Sequence, residues 1–199
     1  MIKLYGMTGS GNCWKPAVLM TMLGIEFQWI EIDSVGGETR QPAFLAMNPN
    51  GRVPLLQLAD GRYLAESNAM LCYLAEGTPL LPPPGYPRAK VLEWLFFEQY
   101  SHEPYVATVR FWIHYLHQRE HWRDKIAEAR AKGEAALAVM ETALSRAPYL
   151  AGASFSVADI ALYAYTHVAD QGDYDLSPYP ALRKWLESCR QQPGFFSMR

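Results

Sequence analysis

Hydrophobic and polar positions change their period about two-fifths of the way along the chain. Ile2–Tyr5 reads as a short strand, and Gly6–Asn12 as a loop rich in glycine, hydroxyls and an amide. Cys13–Leu23 has helical spacing, with Pro16 in the first turn, where a missing amide is tolerated, and Gly24 in the place of a C-cap. Phe27, Trp29, Ile30 and Ile32 make Glu26–Asp33 a second strand, imperfectly alternating. Gln41–Met47 predicts a short helix stopped by Asn48-Pro49. Two apolar runs then flank Asp60-Gly61, the strongest short-range signal for a hairpin. Asn68–Ala75 predicts one more helix. The order is β-α-β-α-β-β-α. A strand-helix-strand unit implies a parallel pair with a right-handed crossover, and the hairpin adds antiparallel strands.

From Gly77 the pattern changes. Pro79–Pro87 holds five prolines in nine residues, which can be neither a helix nor a central strand and should be stiff and extended. Beyond it the periodicity is helical throughout. Arg88 to about His117 carries Val91, Leu92, Leu95 and Phe96 at helical spacing, and Pro104 should kink or break it. Arg123–Ala143 and Pro180–Gln192 predict two further helices. Ser156-Val157-Ala158-Asp159 has the form of a capping box, with Phe155 and Ile160 placed as a hydrophobic staple, so Ser156 and Asp159 are assigned to folding rather than chemistry. The predicted architecture is an α/β thioredoxin-like domain over residues 1–76, a proline-rich linker over 77–87 and an all-α helical domain over 88–199.

Composition narrows the function classes. The 199 residues are half hydrophobic and 19% charged, with a formal net charge of −2, so neither nucleic acid nor an anionic membrane is an expected partner. No apolar run approaches the ~20 residues of a membrane span. Cys13, Cys72 and Cys189 are odd in number and far apart, which fits a reducing, cytoplasmic setting better than a disulfide framework. His114, His117 and His121 would share one helix face at i, i+3 and i+7, but a solvated polar face is the expectation and no metal is assigned.

Chemistry concentrates in the first domain. Ser10-Gly11-Asn12-Cys13 lies between the first strand and the first helix, where redox cysteines sit in thioredoxin-like folds because a helix N-terminus stabilises a thiolate. Serine in the first place of the Cys-x-x-Cys spacing removes the protein's own dithiol chemistry. The Ser10 hydroxyl or the Asn12 amide can instead donate to a bound thiolate. Cys13 is expected to be a small structural residue, the alternative being a mixed disulfide. Val53-Pro54 begins a strand where proline offers no donor, and only before proline is a cis peptide common. That geometry would leave the Val53 backbone free to pair with an extended peptide. Glu66-Ser67 falls at a helix start, where amides and a hydroxyl can hold an anion. Together with Arg52 these suit a small peptide with carboxylates at its ends.

Gly51-Arg52-Val53-Pro54 followed by Glu66-Ser67 resembles the glutathione-binding half of glutathione S-transferases, and the likeness extends over nearly the whole chain. The Ser10-Gly11-Asn12 loop resembles the Thr/Ser-x-Asn motif of bacterial nu-class and fungal Ure2-like members. It departs from the classes that use an N-terminal tyrosine, since Tyr5 lies in the first strand, and from the cysteine-based classes, since position 10 is serine. The resemblance implies that Val53 pairs with the cysteinyl backbone of glutathione and that Pro54 is the cis proline. It implies that Glu66 and Ser67 hold the γ-glutamyl group and that Arg52 meets the glycyl carboxylate. Lys15 and Arg40 are candidate helpers of that site, with solvated surface charge the expectation for both, and Asn68 is expected to cap or brace the helix start. Tyr105, Arg110, Phe111, Trp112 and Tyr115 are candidates for a second-substrate pocket between the domains. Arg110, among aromatics, should seek an anion or a carboxylate. The implied function is a cytoplasmic, homodimeric glutathione transferase that activates the glutathione thiolate against a small, apolar electrophile. Disulfide reduction or peroxide removal on the same fold remains open, as does a non-catalytic binding role.

Overall fold

A computed structural model describes residues 1–198. The chain forms two compact units, one of Met1–Glu76 together with residues from Gln192 onward, the other of Gly77–Gln191.

The first unit is a four-stranded sheet in the order β2-β1-β3-β4, made of β1 (Ile2–Gly6), β2 (Phe27–Glu31), β3 (Leu55–Gln57) and β4 (Tyr63–Ala65). β1 runs parallel to β2 and antiparallel to β3, and β3 pairs antiparallel with β4. α1 (Gly11–Met22) makes the crossover, α2 (Pro42–Met47) precedes the hairpin and α3 (Ser67–Leu74) follows it. Side chains alternate between the sheet faces. Leu4 and Leu56 stand opposite each other and pack with Ala17, Met20 and Met70 from α1 and α3. Their neighbours Tyr5 and Leu55 face the other way, into a cluster with Ile32 and Phe44 of the α2 side. Truncating Leu4 or Leu56, each wholly buried, to alanine should cost ~2–5 kcal/mol. The hairpin turns through Leu58–Arg62, where Gly61 takes φ 89° and its amide donates to Leu58 O. The last described residues return to this unit. Trp14 Nε1 donates to Phe196 O at 3.0 Å, and its ring meets Phe195 edge-on at 5.4 Å.

The second unit is helical: α4 (Tyr86–Phe97), α5 (Glu103–Arg110), α6 (Arg123–Leu144), α7 (Val157–Thr166) and α8 (Pro180–Arg190). The proline-rich stretch belongs to it, with Leu81 buried and Leu80 O accepting from Val157 N at 3.0 Å. Pro104 interrupts the long helix through a wide π-turn at Glu98–His102, after which it sits in the first turn of α5, where its missing amide is harmless. A second π-turn, Phe111–Tyr115, ends the run. His117 has φ 52° beyond that end. The three histidines therefore do not share a helix face, because the helix stops before the second of them. Among the described residues no group of His, Cys, Asp or Glu is placed to hold a metal, and no helix is long and apolar enough to cross a membrane.

α7 is buried on every side, and its N-terminus is the polar centre of this unit. Ser156 caps it, accepting from Ala158 N, and Asp159 Oδ2 reaches back to Ser156 N at 2.9 Å. Asp159 Oδ1 also accepts from Leu150 N at 3.0 Å and Trp185 Nε1 at 2.9 Å, so one carboxylate joins the cap, the preceding loop and α8. The folding role of Ser156 and Asp159 follows from these contacts.

Candidate functional site

The β1–α1 loop is shaped from both sides. A Cβ on Gly6 would lie 2.6 Å from the Trp29 ring, so only glycine lets β1 pass beneath that indole. Glu31 Oε1 accepts from Thr8 N at 2.7 Å, and Oε2 from Thr8 Oγ1 at 2.8 Å and Trp29 Nε1 at 2.6 Å. Partial burial opposes ionisation of Glu31, but these donors outweigh it and hold its carboxyl below the ordinary value.

Ser10 is the N-cap of α1, its Oγ accepting from Cys13 N at 3.4 Å. Cys13 is wholly buried, with Met7 N donating to its Sγ at 3.4 Å. Burial pushes its thiol up to about 11 against the weaker pull of those hydrogen bonds. It is a packed core residue rather than an exposed nucleophile. Tyr5 also belongs to the core side of the sheet, donating to Gln57 Oε1 at 3.2 Å.

Asn12 and Ser67 come together from elements 55 residues apart, Ser67 Oγ donating to Asn12 Oδ1 at 3.3 Å. The residue that joins them is Lys15. It is not a surface charge: its exposure is 0%. Its Nζ donates to Asn12 Oδ1 at 2.8 Å, to Ser67 Oγ at 3.4 Å and to Asn68 Oδ1 at 3.4 Å. Asn68 thus braces the start of α3 and the lysine as well. Arg40 is exposed, donating to Asn50 O.

Ser67 is the first residue of α3, and Glu66 is its N-cap with φ 69° and ψ 111°. A non-glycine residue held there costs ~1–3 kcal/mol, and such outliers cluster where a ligand is clamped. Glu66 is exposed while Ser67 is buried, so the pair offers one accessible carboxylate and one fixed hydroxyl at a helix start. The Val53–Pro54 peptide is cis. Val53 precedes β3 and takes no part in the β1 or β4 ladders. Arg52 is exposed, and its carbonyl accepts from Asn48 Nδ2 at 2.8 Å, which fixes the approach to Val53.

The second-substrate candidates all lie in the helical unit. Arg110 is buried. Its Nε donates to Gln171 Oε1 at 2.6 Å, and its guanidinium lies 5.2 Å from the Tyr115 ring centre. Phe111 stacks on Tyr115, Trp112 stacks on Trp122 at 4.8 Å, and the Lys132 ammonium lies over Tyr105.

Sequence reasoning did not single out Glu31 and preferred a surface charge for Lys15, which the structure buries. Only the position of Lys15 in the first turn of a predicted helix, three residues after Asn12, could have pointed to it.

A thioredoxin-like unit with Ser10 where the first cysteine of a redox pair would stand and Cys13 buried in the second place, in a chain that also forms an all-helical unit, defines a class without an exposed dithiol of its own. Comparison with known proteins places the chain within that class. Residues 9–76 match the family profile described as glutathione S-transferase, N-terminal domain, and residues 107–188 the one described as glutathione S-transferase, C-terminal domain. A solved glutathione S-transferase from Pseudomonas fluorescens Pf-5 is 48% identical with a TM-score of 0.97, covering 99% of this chain and 98% of that one. The disulfide-bond oxidoreductase YfcG of Escherichia coli K12 is 30% identical over 98% of this chain and 92% of its own. The transferase URE2P6 of Phanerochaete chrysosporium, solved in complex with oxidized glutathione, is 26% identical with a TM-score of 0.88, covering 97% of this chain and 92% of that one. The chain belongs to the glutathione S-transferase family.

Proposed function

We propose that this protein binds glutathione along Arg52, Val53, Glu66 and Ser67, ionises its thiol with Ser10 and Asn12, and transfers the sulfur to a small apolar electrophile. The observation that carries the reading is the Ser67–Asn12 hydrogen bond, which sets the helix start suited to the γ-glutamyl group against the loop suited to the thiol. Arg52 and the Val53 backbone lie at the entry to β3, on the stretch that would take the rest of the peptide.

A free thiol has a pKa of ~8.5, so a minority is ionised at neutral pH. A hydrogen bond to a charged acceptor is worth roughly 1.5–3 kcal/mol, which at 1.36 kcal/mol per unit lowers the thiol pKa by about one to two units. The thiolate then dominates without a general base. Its lone pair forms the new C–S bond as the electrophile's leaving group departs with the bonding electrons. Tyr105, Arg110, Phe111 and Trp112 are the proposed second-substrate residues, and a homodimer in the cytoplasm is the proposed working form. The burial of Cys13 favours conjugation over a route in which the protein's own cysteine forms a mixed disulfide.

The test is glutathione binding by calorimetry, with the bound thiol titrated by its ultraviolet thiolate absorbance. Wild type should bind with a thiol pKa well below ~8.5. Ser10→Ala with Asn12→Ala should bind a thiol of ordinary acidity. Glu66→Ala and Ser67→Ala should each weaken binding about tenfold or more, since 1.4 kcal/mol is a factor of ten. Wild type that fails to bind glutathione refutes the reading.

A further inference from the structure

Lys15 is the one lysine whose side chain is wholly buried among the described residues. Burying an ammonium is costly unless hydrogen bonds replace its water, and an apolar residue would suit this face of α1 better. What surrounds the ammonium is the candidate site itself. Oxygens of Asn12, Ser67 and Asn68 lie within 3.4 Å of the ammonium.

The chemistry of those contacts settles an orientation. An ammonium has three donors and no acceptor. The Asn12 atom 2.8 Å from it must therefore be the amide oxygen, and that same oxygen receives the Ser67 hydroxyl at 3.3 Å. With its oxygen engaged twice on the protein side, Asn12 can meet a thiolate only through its NH2 group, which is the half that stabilises one. Were the amide turned over, its oxygen would face the sulfur and raise the thiol pKa instead. Ser67 is aligned by the same cation: its oxygen accepts from Lys15, so its proton goes to Asn12.

We propose that Lys15 is a positioning residue for thiol activation: it locks the Asn12 carboxamide with its donor group toward the glutathione sulfur and ties that lock to Ser67 at the start of α3. This deepens the glutathione reading and rests on it. Lys15 touches neither the sulfur nor the electrophile. Its effect passes through Asn12.

The experiment titrates glutathione bound to wild type, Lys15→Met, Lys15→Gln, Lys15→Arg, Asn12→Ala and the Lys15→Met/Asn12→Ala double variant, following thiolate absorbance against pH. Lys15→Met and Lys15→Gln, which no longer present donors alone to the Asn12 oxygen, should raise the bound thiol's pKa by about one unit, a tenfold smaller thiolate fraction below the pKa. Lys15→Arg, still a pure donor, should restore the wild-type value. In the Asn12→Ala background the Lys15→Met change should move the thiol no further, the mark of two residues acting through one contact. Thermal unfolding of each variant separates bracing from positioning. A lysine that only braces the fold would lower the melting temperature and leave the thiol pKa where it was, and that result overturns the proposal. So does an additive shift in the double variant. If the neutral Lys15 variants do not fold, Asn12→Asp decides: it keeps an acceptor for Lys15 but has no NH2 group, so the protein should stay folded while the bound thiol rises to or above ~8.5. An unshifted thiol in that variant refutes the lock. Wild type that does not bind glutathione removes both this inference and the functional reading. Wild type that binds an acidified thiol which Lys15→Met leaves unchanged removes this inference alone.

Discussion

Asp159→Ala tests the polar centre of the helical unit. The carboxylate accepts four hydrogen bonds, from Leu150 N, Trp185 Nε1, Ser156 N and Ser156 Oγ, at 2.9–3.1 Å. At ~0.5–1.5 kcal/mol net for each, alanine should cost about 2–6 kcal/mol near pH 7. Acid should make the loss larger. Burial pushes the Asp159 pKa up to about 6 from an ordinary 3.8, and the hydrogen bonds from Leu150, Trp185 and Ser156 oppose that rise without cancelling it. A carboxyl whose pKa is raised by folding contributes stability that is fully present below 3.8 and is lost as pH rises through about 6. Two units at 1.36 kcal/mol each amount to roughly 3 kcal/mol. The variant should therefore lose about 2–3 kcal/mol more at pH 4 than at pH 7. Urea unfolding followed by far-ultraviolet circular dichroism, on both proteins at both pH values, measures this. His167, pushed down to about 4 mainly by burial, titrates with the opposite sign: its contribution is present above 6.5 and lost as pH falls through about 4. Because it is common to both proteins it drops out of the difference. A cost under about 1 kcal/mol at pH 7, or one that does not grow on acidification, refutes the assignment of Asp159 as a buried four-bond acceptor.

Two further outcomes are expected. Cys13, wholly buried with its thiol near 11, should resist iodoacetamide at pH 8 in the folded protein and react once the protein is unfolded in urea; peptide mass spectrometry reads the difference, and rapid labelling of folded protein at Cys13 contradicts it. Gly133→Ala places a Cβ 2.3 Å from Tyr174 Oη inside the core, so the ~1 kcal/mol gain in helix propensity should be overcome by ~1–3 kcal/mol or more of overpacking; calorimetry should show a lower melting temperature, and an unchanged or higher one refutes it.

What the sequence made legible was local. Asp60-Gly61 marks the hairpin because the turn needs a positive φ that Gly61 takes at 89°. The Ser156–Asp159 box closes within one helical turn, so its spacing suffices to find it. Pro104 announces an interruption but not its form, because a π-turn depends on how the preceding carbonyls are accommodated. The histidine spacing misled for a similar reason: the helix ends before His117, and nothing in the local pattern marks that end. Lys15 was misread because, Asn12 apart, the partners that bury it, Ser67 and Asn68, are remote. Ser67 lies 52 residues away, and a lysine beside a tryptophan and a proline reads as surface until α3 is laid against α1. The residues proposed to bind glutathione stand out by their combination, Val53-Pro54 with Glu66-Ser67. The link between the two loops, made by the Ser67–Asn12 hydrogen bond and the buried Lys15 cation, does not.

The indole of Trp14 and the carbonyl of Phe196 are 182 residues apart in sequence. In connectivity, the helical unit is an insertion interrupting the α/β unit, which receives its last covering segment only after the chain has left it and come back. The sheet and its two layers of helices can assemble from the first 76 residues, but the Trp14 edge of α1 stays wet until the intervening chain has compacted enough to bring Phe195 and Phe196 home. Contacts so distant in sequence carry a heavy closure entropy and form late. In sequence the α/β unit is thus begun first and finished last, and it is the Trp14 edge of α1 that waits, whereas Asn12, Ser67 and Asn68 around Lys15 all lie within the first 76 residues.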